Sequence, residues 1–407
     1  MMNILWGIGG IVVVLGLALL VSVNRKAIKI RTISIALALQ VFFGFIVLKW
    51  EAGKNVLEGI ANVFGKMIDS SAAGIDFLFG GVFEGENIGF VFAFQVLPTI
   101  IFVASFISIL YYLGIMQFIV KHLGGALSRL LKTSKAESIS AAANIFMGHT
   151  EAPLTVKPYI SRMTQSEIFT IMAGGLATVS GANLAGYYIL GIPLEYLLAA
   201  SFMAAPAGLL MAKMIVPETE ISETANKINL EIDDSDKPTN VIDAAAKGAG
   251  DGLKIALNVG AMLAAFISLI ALVNLLVGGV GSLFGYDKLS IELIFGYIFS
   301  PLAFIMGIPM NEALVAGSLL GQKVIINEMV AYVAFIPEMA SLSDKTNMIV
   351  SFALCGFANI GSTAILIGTI GGMAPNKRST VAKFAIRAVI AGTLANLLSA
   401  SIAGMFF

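Results

Sequence analysis

The chain has 407 residues, of which 58% are hydrophobic and only 12% charged, and its mean hydropathy is +0.91. Soluble globular proteins carry about 25% charged residues, so this composition excludes a soluble domain and indicates a polytopic membrane protein. The formal net charge is zero, which leaves no basic surface for nucleic acid. Cys355 is the only cysteine, which excludes an intramolecular disulfide and a cysteine-rich metal cluster.

The sequence contains eight uncharged apolar segments of the length that crosses a bilayer, about 20 residues. These predicted spans are 3–24, 32–48, 87–120, 168–194, 196–212, 255–286, 346–376 and 388–407. The first is longer than the apolar core of a signal peptide, so we expect it to be retained. Two further regions, 115–165 and 288–343, are apolar but interrupted by charge, proline and glycine.

Lys and Arg are concentrated in alternate connecting segments, namely after the first and third predicted spans, between the fifth and sixth, and between the seventh and eighth. Cytoplasmic loops carry such an excess of basic residues. We therefore expect a multi-pass protein of the cytoplasmic membrane with both termini outside, the bilayer as its surroundings, and the acidic segment 217–240 as a cytoplasmic linker.

The first interrupted region predicts a helix followed by a re-entrant hairpin. Residues 115–132 place basic side chains opposite an apolar face, which is typical of a helix lying in the membrane interface. The apolar arms 137–147 and 152–160 are too short to span, and Gly148-His149-Thr150-Glu151 joins them. Non-helical backbone at membrane depth is tolerated only inside protein or along a cavity, so this polar tip predicts a binding site.

The second interrupted region repeats the design. We prefer an interfacial helix near 290–307, followed by a hairpin with arms 312–326 and 329–343 and Asn327-Glu328 at its tip. An alternative stays open, in which Ser290–Gly307 crosses the membrane and 312–335 crosses back.

The span after each hairpin carries a similar glycine-rich core, 174–183 in the first and 355–363 in the second, with Ala177 and Ala358 matched. Since the two halves lie in opposite orientations, this pattern predicts an inverted repeat, which is typical of secondary transporters. The predicted domains are an N-terminal two-helix region 1–86, a first repeat 87–216, the linker 217–240 and a second repeat 241–407.

Three motifs carry a resemblance to a known family. They are Gly148-His149-Thr150-Glu151-Ala152-Pro153, the stretch Leu320–Tyr332 with its Asn327-Glu328 pair, and Cys355-Gly356-Phe357-Ala358-Asn359-Ile360-Gly361-Ser362. In this order they resemble the hallmark motifs of the concentrative nucleoside transporter family, over essentially the whole chain. The resemblance implies a nucleoside:cation symporter of elevator type, assembled as a homotrimer. A scaffold around the third and sixth spans would support a mobile domain that holds both hairpins.

The resemblance also implies the substrate contacts. The expected nucleobase contacts are His149, Thr150, Glu151 and Asn183. The expected ribose contacts are Glu328, Phe357, Asn359 and Ser362. The chemistry agrees, because a carboxylate accepts stronger hydrogen bonds from base N–H and ribose O–H groups than a neutral oxygen does. The nearest basic residues, Lys157, Arg162 and Lys323, we interpret as snorkelling or facing the cytoplasm.

By the same resemblance, the coupling ion is sodium, bound by the side chains of Asn144 and Thr178 and the carbonyls of Met147 and Val179. Oxygen ligands suit such a hard cation. Proton coupling through His149, Glu151 or Glu328 stays open, because imidazole binds a proton near neutral pH. No other cofactor is expected.

Several of these residues also have a simpler structural interpretation. Glu151 and Glu328 would be carboxylates that cap helix N-termini, and His149 would only hydrogen-bond a backbone carbonyl. Gly174, Gly175, Gly371 and Gly372 would allow close helix packing rather than unwinding.

Two other functions also stay open. One is an intramembrane enzyme using Glu151, His149 and Glu328 as acid and base, although the sequence has no metal motif, nucleophile elbow or phosphate-binding loop. The other is a symporter of a different small polar solute, because a fold does not determine its ligand.

Overall fold

A computed structural model of the chain describes residues 2–83, 90–225, 238–286 and 288–407. These residues form α-helices and short 3-10 helices, with no strand among them. The helices are α1 (Met2–Val21), α2 (Ile30–Leu48), α3 (Glu51–Asp69), α4 (Ser71–Phe83), α5 (Phe92–Tyr112), α6 (Ile115–Leu131), α7 (Lys135–Ala143), α8 (Lys157–Ile160), α9 (Gln165–Ala177), α10 (Gly181–Ile189), α11 (Leu194–Ile215), α12 (Val241–Leu283), α13 (Ile291–Ile305), α14 (Met310–Ile325), α15 (Glu328–Phe335), α16 (Asp344–Leu354), α17 (Ile360–Met373) and α18 (Arg378–Phe406).

Within the described residues, seven helical stretches are long and apolar enough to cross a membrane, counting α9 and α10 as one. They coincide with seven of the eight predicted spans, and the eighth, 346–376, is divided into α16 and α17. The axes of α13 and α14 differ by 116°, so these two helices do not form one straight span. The expected fold class, an all-α polytopic membrane protein, is confirmed.

Two features of the structure differ from expectation, the number of helices in the N-terminal segment and the start of the sixth span. The segment 1–86, expected to hold two helices, contains α3 and α4 in addition. The buried positions of α3 recur every three or four residues and form one face of an amphipathic helix: Gly53, Leu57, Ala61, Gly65 and Ile68. The sixth span was expected to begin at residue 255, but α12 begins at Val241, because the helix continues through charged residues that end the apolar run.

Helices α5 and α12 pack along each other at close range. A Cβ atom added to Gly252 of α12 would lie 2.8 Å from the Cα of Ile101, and one added to Gly248 would lie 2.5 Å from the Cβ of Ser108. Small residues at the contact allow such an approach. Large apolar side chains on other faces of α12, such as Leu257 and Leu275, are exposed.

Helix α18 runs through the centre and contacts α9, α11, α16 and α17. A Cβ atom added to its Gly392 would lie 2.9 Å from the Cβ of Leu176 and 3.1 Å from the Cβ of Ala358. The glycine therefore lets α18 approach both helix interruptions at once.

The two broken helices are interrupted in the same way. Between α9 and α10 the chain is extended at Thr178, and the Ser180 side chain accepts from Asn183 N to start α10. Between α16 and α17, Asn359 accepts from Ser362 N to start α17. Ser and Asn are preferred at such caps because their oxygens satisfy a free backbone N–H.

Gly174 and Gly175 lie inside α9, not at its interruption. A Cβ atom added to Gly175 would lie 2.8 Å from the Cβ of His149, and one added to Gly208 of α11 would lie 3.0 Å from the Cα of Gly174. The close-packing interpretation of this glycine pair is confirmed.

Both hairpin segments turn back on themselves. Helix α7 leads into a turn at 144–151 and packs against the 3-10 helix Ala152–Val156 that follows it. Helix α14 packs against α15 after a short connection, where the Asn327 side chain accepts from Val330 N.

A buried ion pair joins the start of the first hairpin to the end of α11. Lys213 Nζ lies 2.6 Å from Glu137 Oε2 and donates a hydrogen bond to Ser166 Oγ at 2.9 Å. The other carboxylate oxygen of Glu137 accepts from the backbone N of Ser134 at 2.7 Å, which completes a capping box at the start of α7. This contact fixes α7 and α9 to α11.

Candidate binding site

The turn after α7 and the two interrupted helices meet at the centre of the protein. The backbone N of Gly181 donates to the carbonyl of Phe146 in that turn at 3.0 Å. The backbone N of Phe357, in the second interruption, donates to the carbonyl of Thr178 in the first at 3.1 Å. Non-helical backbone from both halves of the chain is therefore joined directly.

Glu328 connects three of the elements at this centre. Its Oε1 accepts from the Tyr187 hydroxyl of α10 at 3.1 Å, and its Oε2 accepts from Asn359 Nδ2 at 3.2 Å. Asn359 in turn accepts from the backbone N of Ser362 at 2.8 Å. Asn327 is the N-cap residue of α15, and Glu328 is the acidic residue of its first turn, so the interpretation of Glu328 as a carboxylate at a helix N-terminus stays open beside ligand contact.

His149 lies against Phe357, with ring centroids 4.8 Å apart and the rings at 62°. It is 8% exposed, and neither ring nitrogen has a hydrogen-bond partner in the described part of the chain. The interpretation that His149 only binds a backbone carbonyl is therefore wrong. A buried polar group without a partner costs about 1–3 kcal/mol, which points to a group outside the chain as its partner.

Glu151 is half-buried, and its Oε2 accepts from the backbone N of Gly148 at 3.3 Å. Glu151 is the N-cap residue of the 3-10 helix that follows but makes no side-chain cap hydrogen bond to it, so the capping interpretation is wrong for Glu151. Thr150 is half-buried beside it. Asn183 is buried and accepts from Ser180 Oγ at 3.2 Å. Among the described residues, no hydrogen bond joins Glu151 to Glu328.

Asn144 ends α7 and is completely buried. Neither its Oδ1 nor its Nδ2 has a partner among the described residues. Thr178 Oγ1 donates to the carbonyls of Gly174 and Gly175 at 3.1 and 3.3 Å, so its hydroxyl lone pairs remain available. Val179 is buried and Met147 half-buried, both in non-helical backbone. These residues offer oxygen atoms of the kind that hard cations prefer.

Three residues at the centre were not predicted from the sequence as parts of the site, namely Tyr187, Lys323 and Asn396. Lys323 is 1% exposed and donates to the carbonyl of Ala353 and to Asn396 Oδ1, each at 2.6 Å. The interpretation of Lys323 as a snorkelling or cytoplasm-facing charge is therefore wrong. A signal was available, since Asn396 is the only amide side chain in the last predicted span.

Three family profiles match consecutive parts of the chain. Residues 9–82 match "Na+ dependent nucleoside transporter N-terminus", residues 93–194 match "Nucleoside recognition", and residues 196–404 match "Na+ dependent nucleoside transporter C-terminus". The chain belongs to the concentrative nucleoside transporter family. Because this is a family of transporters, the membership decides against the intramembrane enzyme.

Relatives extend over the whole chain. An uncharacterized transporter YutK of Bacillus subtilis is 54% identical over 100% of both chains. The nucleoside permease NupC of Helicobacter pylori is 46% identical over 99% of this chain and 97% of its own. Human solute carrier family 28 member 3 is 35% identical over 98% of this chain and 59% of its own.

Solved structures of concentrative nucleoside transporters share the fold. The structure of CNTnw in an inward-facing, substrate-bound state has a TM-score of 0.94 and 52% identity, covering 99% of this chain and 98% of its own. A variant of CNTnw in an outward-facing state has a TM-score of 0.95 and 50% identity, covering 100% of this chain and 98% of its own.

Proposed function

We propose that this chain is a secondary active transporter that takes up nucleosides by cation symport across the cytoplasmic membrane. The alternating basic segments support an orientation with both termini outside. Family membership supports the nucleoside as substrate.

The observation that carries the proposal is Glu328 at the meeting point of both halves, bonded to Tyr187 and Asn359. A buried carboxylate with lone pairs to spare accepts strongly from vicinal hydroxyls, which suits a ribose. We assign the ribose end to Glu328, Phe357, Asn359 and Ser362. We assign the nucleobase end to His149, Thr150, Glu151 and Asn183.

The ion site that we propose consists of the side chains of Asn144 and Thr178 and the carbonyls of Met147 and Val179. Its support is the buried Asn144 side chain, whose oxygen has no other partner among the described residues. The description of the matching profiles as Na+ dependent favours sodium. Proton coupling is the second candidate because His149 has two unpaired ring nitrogens within the described structure.

We further propose that transport uses an elevator-like movement within a homotrimer. Helices α5 and α12, which pack along each other, would form the scaffold. The two hairpins, re-entrant from opposite sides, and the broken helices would move together. Inward-facing and outward-facing states of CNTnw support alternating access on this fold.

The test is uptake of labelled uridine and adenosine into proteoliposomes under imposed sodium or proton gradients. We expect accumulation of unmodified nucleoside that depends on the sodium gradient. Accumulation under a proton gradient alone would replace sodium by proton in the proposal.

A parallel binding screen separates nucleosides from other solutes. Thermal shifts with nucleosides, and none with amino acids or sugars, are the expected result. A larger shift with another polar solute, together with its uptake, would replace the nucleoside as substrate.

A further inference from the structure

Lys323 is a buried cation without a carboxylate partner. It lies in the last turns of α14, and no Asp or Glu of the described residues is within ion-pair distance of its ammonium. Its Nζ donates to oxygens of two neutral groups, the Ala353 carbonyl and Asn396 Oδ1, each at 2.6 Å. Burying an ammonium is costly unless something compensates the charge, and here the two neutral oxygens and the electrostatic attraction of the Glu328 carboxylate provide the compensation.

Asn396, which accepts from Lys323, also donates hydrogen bonds to two backbone carbonyls. Its Nδ2 donates to the carbonyl of Ala177 at 2.7 Å and to the carbonyl of Cys355 at 2.9 Å. Ala177 is the last residue of α9, and Cys355 caps α16. One amide therefore binds the carboxyl ends of both interrupted helices, whose last carbonyls have no intrahelical partner.

The carboxyl ends of α9 and α16 add negative partial charge close to Lys323 and Asn396. The C-terminus of a helix acts as about −0.5 of an elementary charge, and the ends of α9 and α16 both point their carbonyls at Asn396 or Lys323. Two such ends amount to about one negative charge, which stabilises the ammonium.

The packing around Gly356 leaves no room for a side chain at this position. A Cβ atom added to Gly356 would lie 2.8 Å from Asn396 Nδ2 and 2.9 Å from the Ala177 carbonyl oxygen. The next residue, Phe357, donates its backbone N–H to Thr178. The conformation of both interruptions therefore depends on Asn396 staying in place.

We propose that Lys323 and Asn396 are positioning residues of the transport site. The fixed positive charge of Lys323 offsets the partial negative charge at the carboxyl ends of α9 and α16. Asn396 joins these two helix ends by hydrogen bonds. These hydrogen bonds hold Phe357 and Asn359 where the nucleoside binds and Thr178 where the cation binds. This inference rests on the proposed function for the identity of the two ligands, but not for the geometry.

The test compares four single variants in the full-length protein. Lys323→Met and Asn396→Leu remove the polar groups at similar size. Asn396→Asp keeps an acceptor for Lys323 but loses both donors to the carbonyls. Lys157→Met, at an exposed lysine of α8, is the control.

The readouts are the KM for uridine, the half-saturating concentration of the coupling cation, and amide hydrogen exchange of peptides covering 175–183 and 354–362. In Lys323→Met, Asn396→Leu and Asn396→Asp we expect KM and the half-saturating cation concentration to rise together by about tenfold or more, as for loss of a charge-assisted buried hydrogen bond. We also expect faster exchange in both peptides, and no change in Lys157→Met.

A purely structural role gives a different result. It would lower the melting temperature and the amount of active protein, but leave KM, the half-saturating cation concentration and the exchange of both peptides at wild-type values, and this outcome would overturn the proposal. Wild-type values in Asn396→Asp would also overturn it, because then only the acceptor for Lys323 matters.

If the single variants do not fold, the double variant Lys323→Met with Asn396→Leu removes the ammonium together with its side-chain acceptor, so that no buried charge is left without its partner. The proposal expects a recovered melting temperature with fast exchange in both peptides, and recovery of slow exchange would contradict it. If wild-type protein takes up no nucleoside, the proposed function fails, while the exchange comparison still decides the role of the two residues.

Discussion

Tyr187 and Glu328 lie 141 residues apart in the chain, one in each half, and a hydrogen bond of 3.1 Å joins them in the interior. The Tyr187 ring also lies against Tyr332, with centroids 4.4 Å apart, and Tyr332 donates to the carbonyl of Ser351 at 2.8 Å. The orientation of the Glu328 carboxylate therefore depends on groups from both halves.

We expect Glu328→Gln to reduce nucleoside uptake by about 100-fold or more, because two charge-assisted bonds to the sugar would weaken at once. The measurement is labelled uridine uptake at matched protein levels in the membrane. Glu51→Gln, at an exposed glutamate of α3, serves as control. Normal uptake in Glu328→Gln would remove this residue from the site.

We expect Tyr187→Phe to raise the KM for uridine by about tenfold, because the variant loses a hydroxyl that orients Glu328 but keeps its ring. The neighbouring Tyr188→Phe should leave KM unchanged, since Tyr188 is only half-buried and the hydroxyl bonded to Glu328 is that of Tyr187. Equal KM values for the two variants would mean that the Tyr187 hydroxyl does not orient the carboxylate.

We expect Thr178→Val to raise the half-saturating sodium concentration by about tenfold, the effect of losing a ligand worth about 1.4 kcal/mol. Thr170→Val is a matched control, because Thr170 is also buried in α9 and its hydroxyl also donates to a carbonyl one turn earlier, that of Ser166 at 2.8 Å. An unchanged sodium constant in Thr178→Val, or uptake without sodium dependence in the wild type, contradicts the ion site.

His149→Gln keeps hydrogen-bonding groups at the first hairpin tip but cannot carry a proton. If sodium drives transport, we expect this variant to retain uptake under a sodium gradient, with a changed preference among nucleobases. His122→Gln, at the other histidine of the chain, should behave as wild type, because His122 is exposed and bonds its own helix. Loss of all gradient-driven uptake only in His149→Gln would favour proton coupling.

Lys213→Met should destabilise the protein by about 3–5 kcal/mol, because it leaves Glu137 buried without its cation. Adding Glu137→Gln should recover much of this loss. Lys254→Met is the control, since Lys254 pairs with Asp251 in an exposed position, with side chains 76% and 53% accessible. Thermal denaturation in detergent measures the effect, and equal melting temperatures for Lys213→Met and Lys254→Met would contradict the role of the buried pair.

The positions of the two tips and two interruptions could be predicted from sequence, because charged residues and cap-forming Ser and Asn stand out in apolar stretches. Burial of Lys323 could not, since its side-chain partner Asn396 is 73 residues away and its other partner is a backbone carbonyl. Hydropathy locates the apolar part of a helix, not its start. For this reason the first turns of α12 and the amphipathic helix α3 were missed.

The hydrogen bond from Phe357 N to the Thr178 carbonyl has a thermodynamic consequence. It makes one stretch of backbone common to the nucleoside and cation sites that we propose. A ligand that orders either interruption lowers the entropy that the other ligand must still remove. By linkage, the factor by which sodium tightens nucleoside binding equals the factor by which nucleoside tightens sodium binding. Titrating each ligand in the presence and absence of the other would therefore measure the same coupling free energy in two separate experiments.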